Sequence, residues 1–164
     1  MEKTQKFQIE KDPANKKVTV TRYFDATPDK VWRAWTEAEY LDKWWGPEPW
    51  RAETKELSFR PGGRWLYAMV GPEGERQWSK LDFVSVEPDK SFEGIVVFCD
   101  EAGKPNPEFG ETNWKNVFEK DGDGTKVTVR IIYDSEETMK KFLEMGFEQG
   151  FGMGLNQLEK LLSA

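Results

Sequence analysis

Acid–base chemistry in this chain would have to rest on carboxylates, lysines and tyrosines, because the sequence contains no histidine and a single cysteine, Cys99. The Ser-His-Asp and Cys-His arrangements of nucleophilic catalysis are therefore excluded, as are zinc sites built on histidine or on several thiolates. Cys99 is interpreted as a partly buried small residue, since no histidine can activate its thiol. We expect no metal site and no cofactor.

Two carboxylates, Asp82 and Glu93, are the most able to point inward if their strands have the appropriate register. A desolvated carboxylate has a raised pKa and can act as an acid or a base. The alternative is a solvated outer face, because Asp and Glu are almost never fully buried unless they are paired. We favour the outer face.

A second set of residues could bind a small molecule rather than transform one. Side chains alternate between the two faces of a strand. Residues 65, 67 and 69 therefore share one face of a predicted strand, and residues 114, 116 and 118 share one face of another. If a curved sheet wraps around the last helix, these sets converge on an apolar cavity in which Asn116 and Gln149 orient a ligand. A solid aromatic core is the alternative. The candidate cavity residues are Trp35, Trp65, Tyr67, Met69, Trp114, Asn116, Phe118, Met145, Gln149 and Met153.

The stretch 26–50 must position part of this set. Thr27 can cap a helix whose first position suits Pro28, and a second helix start is predicted at Thr36. The Gly-Pro pair at 46–47 ends the second helix. Two short helices that abut in a V are therefore predicted. Their indole rings are interpreted as packing between helices and sheet, with a ligand clamp as the alternative: Trp32, Trp35, Trp44, Trp45 and Trp50.

The rest of the chain predicts a run of strands followed by one long helix. In residues 75–86 apolar residues fall on both parities, which indicates either a bulge or a strand buried on both faces. Residues 100–110 predict a loop that serves as a mobile flap or a rim segment. The last helix is predicted from Ser135 to about residue 162, with or without an early break. The predicted strands are an N-terminal hairpin over about 5–24, and then 51–59, 64–70, 75–86, 92–99, 113–120 and 125–133.

This order of elements predicts an α+β fold, with a curved antiparallel sheet wrapped around a long C-terminal helix and two short helices after the first long strand. The 164 residues fit one domain, 1–164, that includes the hairpin. No apolar run approaches the roughly 20 residues of a membrane span, and the N-terminus lacks the apolar core of a signal peptide. The single cysteine suits a reducing cytoplasm, and the net charge of -6 disfavours nucleic-acid binding.

A family resemblance covers nearly the whole chain. It is carried by Phe24-Asp-Ala26, Val31-Trp32, Trp44-Trp45-Gly46-Pro47, Arg60-Pro-Gly-Gly63, and Gly150-Phe151 followed by Leu155 and Leu158. The chain resembles the SRPBCC or START-like superfamily, and within it the branch named for the activator of the heat-shock-protein-90 ATPase. The resemblance implies the helix-grip fold, with a deep cavity between the sheet and the last helix. It implies less about function, since the superfamily includes lipid and hormone binders, aromatase/cyclase enzymes and co-chaperones.

The sequence is therefore interpreted as a cytoplasmic protein that binds a small apolar or aromatic molecule in this cavity. One alternative is a co-chaperone-like regulator of a heat-shock-protein-90 ATPase. Another is a cyclase- or hydrolase-type enzyme that uses an inward carboxylate, Tyr67 or an ordered water. We expect no nucleic-acid partner and no membrane partner.

The co-chaperone alternative can be tested with purified components. The known activator resembles this chain in only one of its domains, and we expect no second domain within 164 residues. We therefore predict at most a slight stimulation of the cognate chaperone's ATPase rate, with heat-denatured protein as the control. A large and saturable stimulation would contradict this expectation.

Overall fold

An open, curved antiparallel sheet forms the framework of the protein. The computed structural model describes residues 7–163, and in this part of the chain the sheet has eight strands in the order β1-β2-β8-β7-β6-β5-β4-β3. The strands are β1 Phe7–Asp12, β2 Lys17–Phe24, β3 Arg51–Leu57, β4 Arg64–Val70, β5 Arg76–Glu87, β6 Ser91–Cys99, β7 Thr112–Asp121 and β8 Gly124–Tyr133. The helices are α1 Pro28–Thr36, α2 Ala38–Trp44, α3 Glu136–Glu144 and α4 Phe147–Leu162.

The N-terminal hairpin joins the sheet beside the last strand rather than beside β3. A short 3-10 turn, Pro13–Asn15, links β1 to β2, and β2 pairs with β8 through Val18 opposite Ile131 and Val20 opposite Val129. Among the described residues, this pairing leaves β1 and β3 as the two edge strands of the sheet. Residues 5 and 6, with which the predicted hairpin begins, lie outside the described residues. The architecture confirms the predicted α+β helix-grip fold.

The C-terminal helical region is broken into two helices. Ser135 begins α3 as predicted, because its hydroxyl accepts a hydrogen bond from the Thr138 backbone N–H at 3.0 Å. The first helix ends at Glu144, and Gly146 adopts a left-handed conformation with φ of 90° before α4 starts. The predicted early break is therefore real. It sets the phase of α4 independently of α3.

The apolar stripe of α4 supplies one wall of the core. Leu155, Leu158 and Leu162 are buried, and Phe147 and Phe151 pack against the same core. This is the face that the three-to-four spacing predicts. Buried side chains of β2 and β8 lie in the same cluster, so α4 and the sheet share one hydrophobic core.

The helical V forms as predicted, except at its second start. Pro28 occupies the first position of α1 after Thr27, but α2 begins after Glu37 rather than after a Thr36 cap. The Thr36 hydroxyl instead donates to the carbonyl of Trp32, four residues earlier, at 2.9 Å. The predicted Thr36 cap is wrong, because this residue still belongs to the last turn of α1.

A glutamine of α4 caps the C-terminus of α2. Gln157 Nε2 donates to the carbonyl of Trp44 at 3.1 Å and to that of Gly46 at 2.8 Å, and its Oε1 accepts from the Glu48 N–H at 2.8 Å. These bonds satisfy carbonyls that the end of a helix leaves free. Gly154 lies at the same contact, where a Cβ would be 3.2 Å from the Trp44 carbonyl oxygen. The missing side chain lets α4 approach the end of α2 closely.

A buried arginine ties β2 to α4. Arg22 points to the helical side of the sheet with 4% of its surface exposed, and it donates to Asn156 Oδ1 at 3.0 Å and to Glu159 Oε1 at 3.1 Å. Burial lowers the pKa of Arg22, an effect opposed by the neighbouring Glu159 carboxylate. A buried ion needs such partners, because an unpaired charge in the interior is strongly unfavourable.

The ambiguous strand β5 contains a bulge. Its register with β6 shifts between Phe83 and Ser85, so Val84 is 57% exposed while Val86 lies opposite Phe92 on the inner side. This settles the two alternatives that the sequence left open. A second irregularity lies in β3, between Thr54 and Glu56.

The loop 100–110 packs against the sheet and against α3. Its first half lies against the outer side of β3 and β4, where Lys55 Nζ donates to the Glu101 carbonyl at 3.2 Å. Its second half packs beside α3, where Phe109 contacts Phe98 edge-to-face and Lys141 Nζ donates to the Glu108 carbonyl. Both halves of the loop are therefore held by contacts with the sheet or α3, and its role as a mobile flap or a rim segment stays a prediction.

Two glycines of α4 should respond oppositely to alanine. A Cβ on Gly152 would meet only Phe7 Cζ at 3.9 Å, so Gly152→Ala should stabilise the protein by about 1 kcal/mol through helix propensity. A Cβ on Gly154 would press on the Trp44 carbonyl, which Gln157 holds in place. Gly154→Ala should therefore lose that gain or destabilise the protein. The free energy of unfolding of both variants, measured in urea, checks this. Equal stabilisation would mean that α2 and α4 move apart enough to accommodate the added methyl group.

Candidate ligand-binding site

A small inner chamber lies between α1, α2 and the concave face of the sheet. Its volume is about 60 Å³, and none of the side chains that line it is charged. Its wall is mostly aromatic: Trp35 comes from α1, Trp45 follows α2, and Trp65 and Tyr67 come from β4. Asn116 of β7 is the one amide in the wall. The chamber is therefore apolar, with very few polar groups facing it.

Most of the polar atoms around the chamber already have partners. The indole N–H of Trp45 donates to Tyr67 Oη at 2.9 Å, that of Trp65 to Thr54 Oγ1 at 3.0 Å, and that of Trp114 to Thr112 Oγ1 at 2.9 Å. Two atoms differ: Trp35 Nε1 and Asn116 Oδ1 are buried without a hydrogen-bond partner. Their residues are 3% and 2% exposed. Unpaired buried polar atoms are rare in folded proteins, so these two atoms distinguish the chamber from the rest of the interior.

A larger outer cleft adjoins the chamber. Its volume is about 230 Å³, and it lies between the sheet and the junction of α3 with α4. Phe98 of β6, Tyr133 of β8, Phe142 of α3 and Phe147 of α4 form much of its wall, and the lining side chains carry no charge. Pro47, which follows α2, borders the cleft on one side, and Met145 and Gly146, at the break between α3 and α4, border it on another.

The chamber and the cleft share part of their walls. Both spaces are lined by Trp45, Tyr67, Val96 and Trp114. A hydrogen bond joins two of these shared residues, Trp45 and Tyr67, and Tyr67 also stacks on Trp65 with ring centres 4.2 Å apart. Burial raises the pKa of the Tyr67 hydroxyl, although its hydrogen bonds with Trp45 and Ser79 act in the opposite direction. Tyr67 is therefore neutral and already engaged.

Most of the predicted cavity residues meet at these two spaces. The chamber is lined by Trp35, Trp65, Tyr67, Trp114 and Asn116, and the cleft by Tyr67, Met69, Trp114 and Met145. Phe118 is buried one layer behind the chamber, in edge-to-face contact with Trp32 and Trp35 at 5.2 Å and 5.7 Å.

Gln149 and Met153 are not part of the site. Gln149 is exposed, and Met153 has 45% of its surface exposed. Their predicted place on the cavity wall is therefore wrong. Phe147 and Phe151 face the sheet, and residue 149 lies about 200° around an α-helix from residue 151. Two other amides of α4 make structural bonds: Gln157 donates to the end of α2, and Asn156 accepts from Arg22 of β2.

Several lining residues were not among the predicted ones. Trp45 belongs to the Trp-Trp-Gly-Pro motif, and Phe147 and Phe151 belong to the apolar stripe of the last helix, so both signals were present in the sequence. Phe92 and Phe142 line the chamber and the cleft, respectively. Periodicity places such residues on an inner face, but it does not separate those that line a space from those that fill one.

The two candidate carboxylates lie on the outer face of the sheet. Asp82 alternates with the buried Leu81 and Phe83 and pairs with Lys80 at 3.2 Å. Glu93 lies opposite Ser85, next to the inward-facing Phe92. Neither lines the chamber or the cleft. Cys99 is partly buried, and burial raises the pKa of its thiol. Among residues 7–163, no cluster of acidic or cysteine side chains could hold a metal ion.

The comparison with known families decides the relationship. Residues 25–163 match the family model of the activator of Hsp90 ATPase homolog 1-like proteins. The chain belongs to this family. No curated protein matches the chain.

Solved structures of bacterial proteins share the whole architecture. The crystal structure of protein Ms6760 from Mycobacterium smegmatis is 30% identical, with 96% of each chain covered and a TM-score of 0.89. A solution structure of a protein from Arthrobacter aurescens is 32% identical over 95% of this chain and 91% of that one, with a TM-score of 0.90. The AHSA1 protein from Silicibacter pomeroyi, 20% identical over 90% and 97% of the two chains, shows the same fold with a TM-score of 0.72. Within the described residues, no helix is long and apolar enough to cross a membrane.

The cleft contains a tyrosine whose burial predicts an alkaline stability change. Desolvation raises the pKa of Tyr133 to about 12. Between its ordinary pKa of about 10 and that value, the folded state holds a proton that the unfolded state has lost, so this contribution to stability is present below pH 10 and lost as the pH rises to 12. The full loss is about 2.8 kcal/mol, since the shift is about two pKa units and each unit corresponds to about 1.4 kcal/mol.

The measurement is the free energy of unfolding between pH 9 and 12 for the wild type and for Tyr133→Phe. The difference between the two proteins should change across this range, because titration of the lysines is common to both. Their difference at pH 7 serves as the control for lost packing. Parallel curves would show that Tyr133 titrates alike in the folded and unfolded states.

Proposed function

We propose that this protein binds a small, neutral, predominantly apolar molecule in the chamber and the cleft. The observation that supports the proposal is a continuous set of apolar walls around two adjoining spaces, with no charged lining side chain and with two unpaired polar atoms at the inner end. Ligand sites of soluble proteins commonly combine a concave apolar wall with a few fixed polar groups. Charged ligands are disfavoured, because no lining side chain offsets their desolvation.

The aromatic rings would supply most of the affinity. Trp45 makes ring contacts with Trp65 at 5.3 Å, Trp114 at 6.0 Å and Phe151 at 6.0 Å, so these surfaces have a fixed relative arrangement. Rigid apolar walls reduce the ordering cost of binding. The exposed Met145, with 52% of its surface accessible, lies at the cleft and offers a flexible thioether that can adapt to ligands of different shape.

An enzymatic role has less support in this site. Asp82 and Glu93 face outward, and the raised pKa of Tyr67 disfavours a tyrosinate base. The cytoplasm remains the proposed location, on the basis of the single cysteine.

Binding can be tested with a neutral fluorophore and a pair of matched variants. N-phenyl-1-naphthylamine should gain fluorescence with the wild-type protein. Gly150 lines the cleft, where a Cβ would meet only Pro47 Cγ at 3.8 Å, so Gly150→Leu should fill the cleft and weaken binding at least about tenfold. Gly152→Leu makes the same change on the same helix, away from the cleft, and is the control.

Native mass spectrometry of the purified protein supplies the complementary result, a co-purified small molecule that is lost from Gly150→Leu and retained by Gly152→Leu. Absence of dye binding to the wild type, or equal binding by both leucine variants, would contradict ligand binding in the cleft.

A further inference from the structure

The unpaired atoms of the inner chamber specify a ligand chemistry. Of the four buried side-chain atoms without partners among the described residues, two are guanidinium nitrogens outside the cavity, Arg22 Nε and Arg130 Nε. The other two, Trp35 Nε1 and Asn116 Oδ1, belong to residues that line one chamber and are at least 97% buried. Burial of a polar atom without a partner is unfavourable, so these two atoms favour an occupant that restores their hydrogen bonds.

The two atoms have opposite requirements. An indole N–H can only donate, and an amide oxygen can only accept. The occupant must therefore present an acceptor to Trp35 and a donor to Asn116. A hydroxyl group does both through a single oxygen. The neighbouring hydroxyl of Tyr67 does not meet this need, since it is engaged with Trp45 and Ser79.

The sizes of the two spaces give the ligand an orientation. The chamber, at about 60 Å³, has room for a small polar group and little more, whereas the cleft of about 230 Å³ has room for an apolar body. The cleft is lined by rings such as Phe98, Phe147 and Phe151. A ligand with its hydroxyl end inward and its hydrocarbon end toward the break between α3 and α4 satisfies both spaces.

We propose that the inner chamber is a recognition pocket for the hydroxyl end of a neutral ligand, held between Trp35 Nε1 and Asn116 Oδ1, with the apolar body of the ligand in the outer cleft. This inference rests on the proposed function and adds the chemical class of the ligand and its direction. It makes Trp35 and Asn116 the residues that determine specificity, and it assigns the cleft to affinity.

Three congeners with the same apolar body test the inference by competition with N-phenyl-1-naphthylamine. The hydroxyl of 4-propylphenol can both accept and donate, the ether of 4-propylanisole can only accept, and propylbenzene can do neither. We expect 4-propylphenol to bind the wild type about tenfold more tightly than propylbenzene, with 4-propylanisole between them. In Asn116→Leu, the advantage of 4-propylphenol over 4-propylanisole should disappear, while propylbenzene should bind at least as tightly as before.

The outcomes separate this inference from the proposed function. Equal affinity of the three congeners for the wild type, or failure of all three to displace a dye that does bind, would overturn hydroxyl recognition and leave the apolar site standing. Failure of the dye itself to bind would overturn both. A thermal melt establishes whether Asn116→Leu is folded, and if it is not, the congener series on the wild type still decides.

Discussion

The packing of Trp45 is the contact on which the interior of this protein depends. The residue directly follows α2, and its ring touches Trp35 of α1, Trp65 and Tyr67 of β4, Trp114 of β7 and Phe151 of α4. These contacts are mostly edge-to-face, the arrangement that the charge distribution of aromatic rings favours. One side chain thus contacts α1, α4 and two strands, β4 and β7, that are not adjacent in the sheet. It also lines both the chamber and the cleft, so the same side chain serves packing and the proposed binding site.

The position of Trp45 is itself held by polar bonds at the end of α2. Gln157 satisfies the carbonyls of Trp44 and Gly46, and Trp44 Nε1 donates to the Ala34 carbonyl at 2.8 Å. Asp42 accepts from the backbone and side chain of Thr54, at 3.0 Å and 2.6 Å, which joins α2 to β3. These hydrogen bonds therefore fix the C-terminal end of α2, and the position of that end determines where the Trp45 ring makes its apolar contacts.

Sequence reasoning predicted the fold and the strand side of the site, because alternation along a strand fixes which side chains share a face. Trp65 and Tyr67 from β4 and Trp114 and Asn116 from β7 meet as expected. The prediction for the helix side of the site was wrong at Gln149 and Met153. These two residues share an exposed face of α4, whereas Phe147 and Phe151 lie on the face that packs against the core. The left-handed Gly146 separates Met145, which lines the cleft, from Gln149 and Met153 in α4, so a spacing of four across this break does not place the three side chains on one face. Which polar atoms stay unpaired depends on three-dimensional neighbours, so Trp35 was predicted as a wall and not as a donor.

The irregular edge strand β3 has a consequence for how copies of the protein behave near one another. A free edge presents unpaired backbone groups that can template another strand. Here the register of the edge strand shifts between Thr54 and Glu56, and its Glu53 carboxylate bonds to Arg51 at 2.7 Å and to Arg76 of β5, two strands away, at 3.0 Å. An approaching strand would have to displace these charged groups and match a bent ladder. The edge that stands next to the aromatic interior is thus a poor seed for aggregation, which allows the sheet to remain open and its concave face to remain accessible.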